Sequence, residues 1–156
     1  MLDMYTYITD ICKQLSSLSC NIKEYGGVIM IKKIFISQPF SDRTEVEVMK
    51  EKEEIIKWLK IIGIDATVLD QYHQSEPPID DPEKKRIWFL ANSIQMMSMV
   101  DLVVFSDNWE SAKGCRIEHE IAIEYNLPYI ELHKNENPGQ TIGNFESLSI
   151  EKGEIK

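Results

Sequence analysis

The sequence predicts a doubly wound α/β domain, built on a mostly parallel sheet of four to five strands with helices on both faces. Short apolar stretches rich in β-branched residues alternate with longer stretches whose apolar residues recur every three or four positions. Proline, glycine and polar residues separate the two kinds of stretch. The chain has 156 residues, of which 43% are hydrophobic, and this size and composition suit one domain with a substantial core.

The predicted elements follow in the order strand, helix, strand, which indicates βαβ units of the flavodoxin or Rossmann-like kind. Strands are predicted at about 32–37, 64–69, 101–105 and 128–132, helices at 42–62, 83–100 and 116–126, and a short edge strand in the tail. Asp42 is the predicted cap of the first helix. Asp101, at the head of the third strand, is expected to hold backbone geometry. The residues expected to face the core are Ile55, Trp58, Leu59 and Ile62 in the first helix, and Ile117, Ile121 and Tyr125 in the third.

The first 29 residues differ from the rest, so the domain is predicted to occupy residues 30–156. Residues 3–18 carry a partial helical stripe. Residues 24–30, EYGGVIM, can be encoded by a purine-rich segment followed shortly by a start codon, as in a ribosome-binding site read in frame. Residues 1–29 are therefore interpreted either as an appended helix or as a mis-assigned start upstream of Met30.

Charge and cysteine content narrow the function classes. The net charge is −9, from 26 acidic and 17 basic residues, whereas a protein that binds a nucleic acid polymer usually has the opposite balance. Small-molecule chemistry is the better expectation. The sequence has three cysteines, an odd number with no pairing pattern, which favours a reducing, cytoplasmic environment. No apolar run reaches the roughly 18 residues of a membrane span, and the three histidines are too far apart in sequence to predict a metal site.

The carboxyl ends of the predicted strands define where a ligand would bind, because parallel α/β sheets bind ligands in the crevice beyond those ends. By this rule three segments are expected to lie together at the ligand site: the turn after the first strand, SQPFSDR, the loop 70–82, and the loop SDNWESAKG before the third helix. Glu118 follows that last loop. It is either a solvated charge, a first-turn acid favoured by the helix dipole, or a nucleophilic carboxylate kept ionised by the positive helix end.

Three stretches resemble the nucleoside 2-deoxyribosyltransferase-like family, which includes deoxynucleotide N-glycosidases and small phage or bacterial members of unassigned activity. They are FISQPFSD, VDLVVFSDNW and WESAKGCRIEHEIAIEYNLPYIEL, within about 32–132, and only the last third is specific. The resemblance implies that Glu118, with Ala122 four residues later, is the nucleophile that attacks the anomeric carbon of a nucleoside or nucleotide. It also implies a homo-oligomer in which a neighbouring subunit completes the pocket. The reaction needs no metal and no other cofactor.

The sequence departs from the family pattern on the second helix, where Asn92 and Ser93 replace an aspartate that helps to protonate the leaving base. Proton donation then falls to Asp107 or Glu110, or is weak. His119 and Glu120 replace the usual glycine after the nucleophile. These departures keep a second interpretation open, a nucleotide-binding module that has lost turnover and sequesters a nucleotide-derived ligand.

The remaining candidate residues lie on the same loops and turns. Trp109 is either a base-stacking or a packing aromatic. Ser111, Lys113, Gly114 and Arg116 could form an anion site for a 5′-phosphate at the helix start. Cys115 with His119 is a less favoured nucleophile pair, since a third group is missing. The full set of expected substrate-binding residues is Ser37, Gln38, Pro39, Asp42, Asn92, Ser93, Asn108, Trp109, Ser111, Lys113, Gly114 and Arg116, and the expected catalytic residues are Glu118 and Asp107.

Overall fold

The computed structural model describes residues 27–29, 31–61, 63–70, 76–133, 143–144 and 150–152. Within these residues, no helix is long and apolar enough to cross a membrane. The elements in chain order are β1 (Gly27–Ile29), β2 (Lys33–Ser37), α1 (Glu45–Ile61), β3 (Thr67–Leu69), α2 (Pro82–Met97), β4 (Leu102–Phe105), a 3₁₀ turn (Trp109–Ser111), α3 (Lys113–Glu124), β5 (Tyr129–Glu131), β6 (Gly143–Asn144) and β7 (Ile150–Lys152).

The main sheet has the strand order β3-β2-β4-β5-β6. The first four of these strands are parallel, and β6 pairs antiparallel with β5 at the edge. The predicted doubly wound α/β fold is confirmed. The chain passes from β2 to β3 on one side, and the next crossover returns it past β2 to β4 on the other side. The topological switch point of the sheet therefore lies between the carboxyl ends of β2 and β4.

Alternation along each strand divides the core into two layers. Ile34 and Ile36 of β2 face α1, and they pack in one cluster with Ile55, Trp58 and Leu59 of that helix. Phe35 of β2 and Phe105 of β4 face the other way, in a second cluster with Met96, Met97, Cys115 and Ala122 from α2 and α3. Helices thus cover both faces, which explains why the strands are apolar at nearly every position.

The first helix begins later than predicted, and Asp42 is not its cap. Asp42 is exposed and adopts a left-handed backbone conformation with φ of 61°. Thr44 caps α1 through a reciprocal arrangement: the Thr44 amide donates to Glu47 Oε2 at 2.8 Å, and the Glu47 amide donates to Thr44 Oγ1 at 3.3 Å. This is a capping box, which satisfies two free amides at the helix start. The core-facing residues Ile55, Trp58 and Leu59 are confirmed, and the side chain of Ile62 lies outside the described residues.

The third helix begins three residues earlier than predicted, at Lys113. Its buried residues are Cys115, Glu118 and Ala122, whereas Tyr125 is 75% exposed and Ile117 and Ile121 are half-buried. The predicted inward stripe was therefore wrong for Tyr125, whereas Ile121 packs against the core cluster at its margin. A polar residue, Glu118, occupies the centre of the buried face. A prediction based on apolar residues alone therefore assigns the wrong face of the helix to the core.

Asp101 has the structural role that its position predicted. Its Oδ2 accepts the backbone amides of Lys32 at 2.8 Å and Lys33 at 2.9 Å, which ties the start of β4 to the start of β2. The predicted helix at 3–18 lies outside the described residues, as does Met30. Gly27–Ile29 form strand β1, which pairs antiparallel with β7 in a separate two-stranded sheet.

Candidate functional site

The carboxylate of Glu118 is at the centre of the site. Glu118 is only 6% exposed, and it lies on the face of α3 that packs against the sheet. It is the sixth residue of a helix that starts at Lys113, so it lies beyond the four free amides of the first turn. Two sequence interpretations, a solvated charge and a first-turn acid held by the helix dipole, are therefore wrong.

Two serine hydroxyls contact this carboxylate from neighbouring elements. Ser37, at the carboxyl end of β2 and 1% exposed, donates its Oγ–H to Glu118 Oε2 at 2.5 Å. Ser93, on the buried face of α2, also hydrogen-bonds the Glu118 side chain, and its Oγ lies 3.2 Å from the Phe89 carbonyl. The site is therefore assembled from β2, α2 and α3 at the switch point of the sheet.

Burial and hydrogen bonding act on Glu118 in opposite directions. Burial raises the pKa of the carboxyl above its ordinary value of 4.5, since a charge is costly away from water. The hydroxyls of Ser37 and Ser93 lower this pKa, because they donate to the charged form, but burial is the larger effect. The protein therefore holds a desolvated carboxylate whose ionisation depends on two neutral donors.

Cys115 is a neighbour of Glu118 and not an activated nucleophile. The thiol is 5% exposed, and burial raises its pKa to about 11, with the Glu118 charge adding to the increase and a hydrogen bond to Ser37 opposing it. A thiolate is the reactive form of cysteine, and this environment disfavours it. The imidazole of His119, the partner considered from sequence, pairs with Glu131.

The loop between β4 and α3 starts at the same edge of the sheet. Ser106 is fully buried and its amide donates to the Ser37 carbonyl, so the loop leaves the sheet beside the Glu118 site. Asp107 follows and is half-buried. Asn108 has φ of 62°, and its carbonyl accepts both the amide and the hydroxyl of Ser111. Asp107 and Asn108 thus lie on the loop that begins beside the Glu118 site.

Trp109 is packed inside this loop. It is 8% exposed, and its indole stacks on the His119 imidazole with a centroid distance of 4.0 Å and an interplanar angle of 20°. A second contact, at 5.5 Å, is made with Phe105. Of the two sequence interpretations for Trp109, the geometry is that of the packing aromatic.

The basic residues at the start of α3 lie at the surface. Lys113 and Arg116 are exposed, and the Arg116 Nη1 donates to the Glu110 carbonyl at 2.6 Å. A Cβ placed on Gly114 would meet no atom within 4 Å, so open space adjoins the first turn. Ser111, Lys113, Gly114 and Arg116 are contiguous around that turn, as the anion-site prediction requires, and their role stays a prediction.

Gln38, Pro39 and Asp42 lie away from Glu118. The Gln38 amide donates to Glu51 Oε2 at 2.9 Å and to the Val48 carbonyl at 3.2 Å, which fixes it against α1 on the opposite face of the sheet. Arg43 completes this network through Glu51 at 2.8 Å and the Pro39 carbonyl at 3.2 Å. These contacts indicate that the turn after β2 is braced by α1.

Asn92 immediately precedes Ser93 on α2. Its Nδ2 is buried and finds no hydrogen-bond partner, and the same holds for Ser106 Oγ and Trp109 Nε1. Buried donors normally have partners. These three atoms lie on α2 and in the loop that follows β4.

Sequence reasoning missed a second buried carboxylate, Glu131, at the end of β5. It is 7% exposed, with Nε2 of His119 2.5 Å from Oε1 and Nε2 of His133 3.1 Å from Oε2. The available signal was polarity: Glu131 ends an otherwise apolar strand, and His133 follows two residues later. Among the described residues, no three histidine, cysteine or acidic side chains are arranged to hold a metal ion.

Fold and site together define a doubly wound α/β domain with a buried, serine-bonded glutamate at its switch point. No protein-family model and no curated protein matches the sequence. One solved structure, a 2-deoxyribosyltransferase from the psychrotolerant bacterium Bacillus psychrosaccharolyticus, is similar with a TM-score of 0.45 and 17% identity. The match covers 64% of this chain and 70% of that chain.

Proposed function

We propose that the protein cleaves or transfers at the N-glycosidic bond of a nucleoside or a nucleoside 5′-monophosphate, with Glu118 as the nucleophile. The observation that carries the proposal is the Ser37–Glu118 hydrogen bond, which fixes a buried carboxylate at the ligand-binding edge of the sheet. The resemblance of residues 109–132 to the nucleoside 2-deoxyribosyltransferase-like family supplies the reaction class, since it gives the glutamate at this position the nucleophilic role.

The proposed reaction has two steps and retains the configuration of the sugar. In the first, a Glu118 oxygen attacks the anomeric carbon, the carbon–nitrogen bond breaks, and the base leaves with the bonding electrons and gains a proton. In the second, water or another base attacks the same carbon and releases Glu118 as the carboxylate. Ser37 holds one carboxylate oxygen throughout, which limits rotation of the side chain and keeps it aimed at the sugar.

The raised pKa of Glu118 is consistent with this role, provided that enough of the carboxyl is ionised. A desolvated carboxylate is a stronger nucleophile than a hydrated one, because no water shell must be removed before it attacks. Burial creates that condition, and the two serine hydroxyls limit its cost by stabilising the ionised form. Burial thus favours reactivity, while the two hydroxyls favour the charged form that attacks the sugar.

The proposed substrate class follows from the positive charge at the start of α3. The chain has a net charge of −9, and an anionic ligand is repelled unless local cations receive it. Lys113 and Arg116 are exposed at the start of α3, next to open space at Gly114. We propose that they receive a 5′-phosphate, with Ser111 as a further donor, so that nucleotides are preferred to nucleosides.

Base release is the direct test. The purified protein is incubated with a panel of ribo- and deoxyribonucleosides and their 5′-monophosphates, and free base is resolved by chromatography. We expect release by the wild type and its loss in Glu118→Ala and Glu118→Gln. Glu120→Gln is the matched control, because Glu120 is an exposed glutamate on the same helix; it should retain release. Equal release by the wild type and both Glu118 variants would contradict the proposal.

A second candidate, a nucleotide-binding module without turnover, is favoured by two observations. Burial raises the pKa of Glu118 and so favours its unreactive protonated form. In addition, α2 presents the amide of Asn92 and the hydroxyl of Ser93, and neither is an effective acid toward a leaving base. This candidate predicts no base release, together with thermal stabilisation by one nucleotide in both the wild type and Glu118→Gln.

A further inference from the structure

Glu131 connects two imidazoles through one buried carboxylate. Each carboxylate oxygen has its own partner, His119 Nε2 at 2.5 Å and His133 Nε2 at 3.1 Å. An ionised carboxylate only accepts hydrogen bonds, so both imidazoles donate Nε2–H to it. In this arrangement Nδ1 of each ring is not engaged by Glu131, so it can donate or accept a proton elsewhere. In a catalytic triad a buried carboxylate orients the histidine ring in the same way.

The two imidazoles differ in their surroundings. His119 is enclosed by aromatic rings, with centroid distances of 4.0 Å to Trp109, 5.0 Å to Phe105 and 5.2 Å to Tyr129. Its side chain is 13% exposed, against 23% for His133. His119 therefore serves as packing between α3, β5 and the loop. His133 is the more accessible member of the pair, and it follows the end of β5.

His133 lies on the same edge of the sheet as Glu118. Ser37, Phe105 and Glu131 are in register across β2, β4 and β5, so they form one row at the carboxyl ends of the strands. Alternation places this row on the α3 face. Adjacent strands are about 4.8 Å apart, which puts the backbones of Ser37 and Glu131 about 10 Å apart. The Ser37–Glu118 pair and the Glu131–His133 pair thus lie at opposite ends of the row.

An N-glycosidic reaction needs a proton donor away from the nucleophile. In a purine nucleoside the atom that gains the proton is N7 or N3, not the nitrogen bonded to the sugar. The donor must therefore lie farther from the nucleophile than the roughly 5 Å found in retaining O-glycosidases. Asn92 and Ser93 on α2 cannot supply this proton, so the donor is either the carboxyl of Asp107 or Glu110, as the sequence predicts, or a group that the sequence did not single out. A carboxylate-held histidine at the opposite end of the row from Glu118 has the chemistry for it, and it lies at the same edge of the sheet.

We propose that His133 is the general acid for the leaving base, with Glu131 as its positioning residue; this rests on the proposed function. The His133 imidazolium gives its Nδ1 proton to a ring nitrogen of the base while the carbon–nitrogen bond breaks and its electron pair passes to the base. Neutral His133 then takes a proton from the water that attacks the sugar carbon. The sugar–oxygen bond to Glu118 breaks, and both residues return to their starting states.

The test uses leaving groups that do not need a proton. Base release by the wild type and His133→Gln is compared for guanosine or deoxyguanosine and their 7-methyl derivatives, whose cationic base leaves unprotonated. If the enzyme prefers pyrimidines, uracil nucleosides and their 5-nitro derivatives replace them, since nitrouracil leaves as a stabilised anion. We expect His133→Gln to lose about 10²-fold or more on the ordinary base, the usual contribution of a general acid, and to change little on the activated one.

His119→Gln is the matched control, because it removes the other imidazole from the same carboxylate. We expect it to lower the thermal midpoint and to affect both substrates alike. Equal losses on both substrates for His133→Gln, or no loss on either, would overturn the role of His133 while base release by the wild type leaves the proposed function standing. If the wild type releases neither base, the proposed function fails, and the role of His133 fails with it.

Discussion

The Ser37 hydroxyl donates to the Glu118 carboxylate at 2.5 Å across 81 positions of sequence. Ser37 is the last residue of strand β2, and Glu118 lies on the inner face of α3. Both side chains are nearly inaccessible to solvent. Protein groups therefore set the charge state of Glu118, and the hydrogen bond makes that charge state a property that a single substitution can change.

Ser37→Ala tests this coupling through the pH profile. The substitution removes a hydrogen bond that lowers the pKa of Glu118, so we expect that pKa to rise further. The rising limb of base release against pH, which lies above the ordinary 4.5 in the wild type, should move to higher pH. A hydrogen bond to a charged group contributes about 1.5–3 kcal/mol, which corresponds to a shift of this limb by roughly one to two pH units. A lower rate with an unshifted limb would contradict the coupling.

Glu118→Gln should stabilise the fold at neutral pH. Because burial raises the folded-state pKa above 4.5, the native state holds this proton more tightly than the unfolded chain does. The resulting stability is fully present below pH 4.5 and is lost as pH rises through the folded pKa. Glutamine resembles the protonated carboxyl at every pH. Thermal unfolding should therefore give a higher midpoint for the variant at pH 7–8 and a small difference near pH 4.

Glu120→Gln is the control for that series, since an exposed glutamate on α3 should show no such pH-dependent gain. A lower midpoint for Glu118→Gln than for the wild type at pH 7 would mean that the carboxylate itself stabilises the fold.

Cys115 should be inert in the folded protein. With a pKa of about 11, about one thiol in a thousand is ionised at pH 8. In a Cys12→Ser, Cys20→Ser background, iodoacetamide should modify Cys115 in denaturant and leave it largely unmodified without denaturant, as measured by mass spectrometry. Cys115→Ala should retain base release. Loss of release in that variant, with an unchanged thermal midpoint, would instead favour a cysteine nucleophile.

Thr44 and Asp42 should contribute unequally to stability. Thr44→Ala removes the capping box of α1, and loss of an N-cap costs about 1 kcal/mol. Asp42→Asn is the comparison, because asparagine also tolerates the left-handed conformation at that position. Urea unfolding should show a clear decrease for Thr44→Ala and almost none for Asp42→Asn. The reverse order would restore Asp42 as the functional cap.

The strands were predictable because their burial requires apolar residues at nearly every position. The stretches around Ile34, Val103 and Ile130 are apolar in sequence because helices cover both faces of the sheet. Helix starts were less predictable. Asp42 and Thr44 are both acceptable caps by residue type, and only the backbone conformation distinguishes them. The start of α3 was placed late because Ala112, which precedes it, makes no side-chain cap.

Sequence alone determined the alternation of strands and helices, the parallel sheet and the placement of Glu118 near the carboxyl ends of the strands, since each follows from local patterns and the topology of βαβ units. Only the tertiary structure decided which groups meet there. Glu118 with Ser37 and Ser93, and Glu131 with His119 and His133, are contacts of buried polar side chains. Such contacts leave no periodic trace, because each depends on where several elements end and on the direction in which their side chains point.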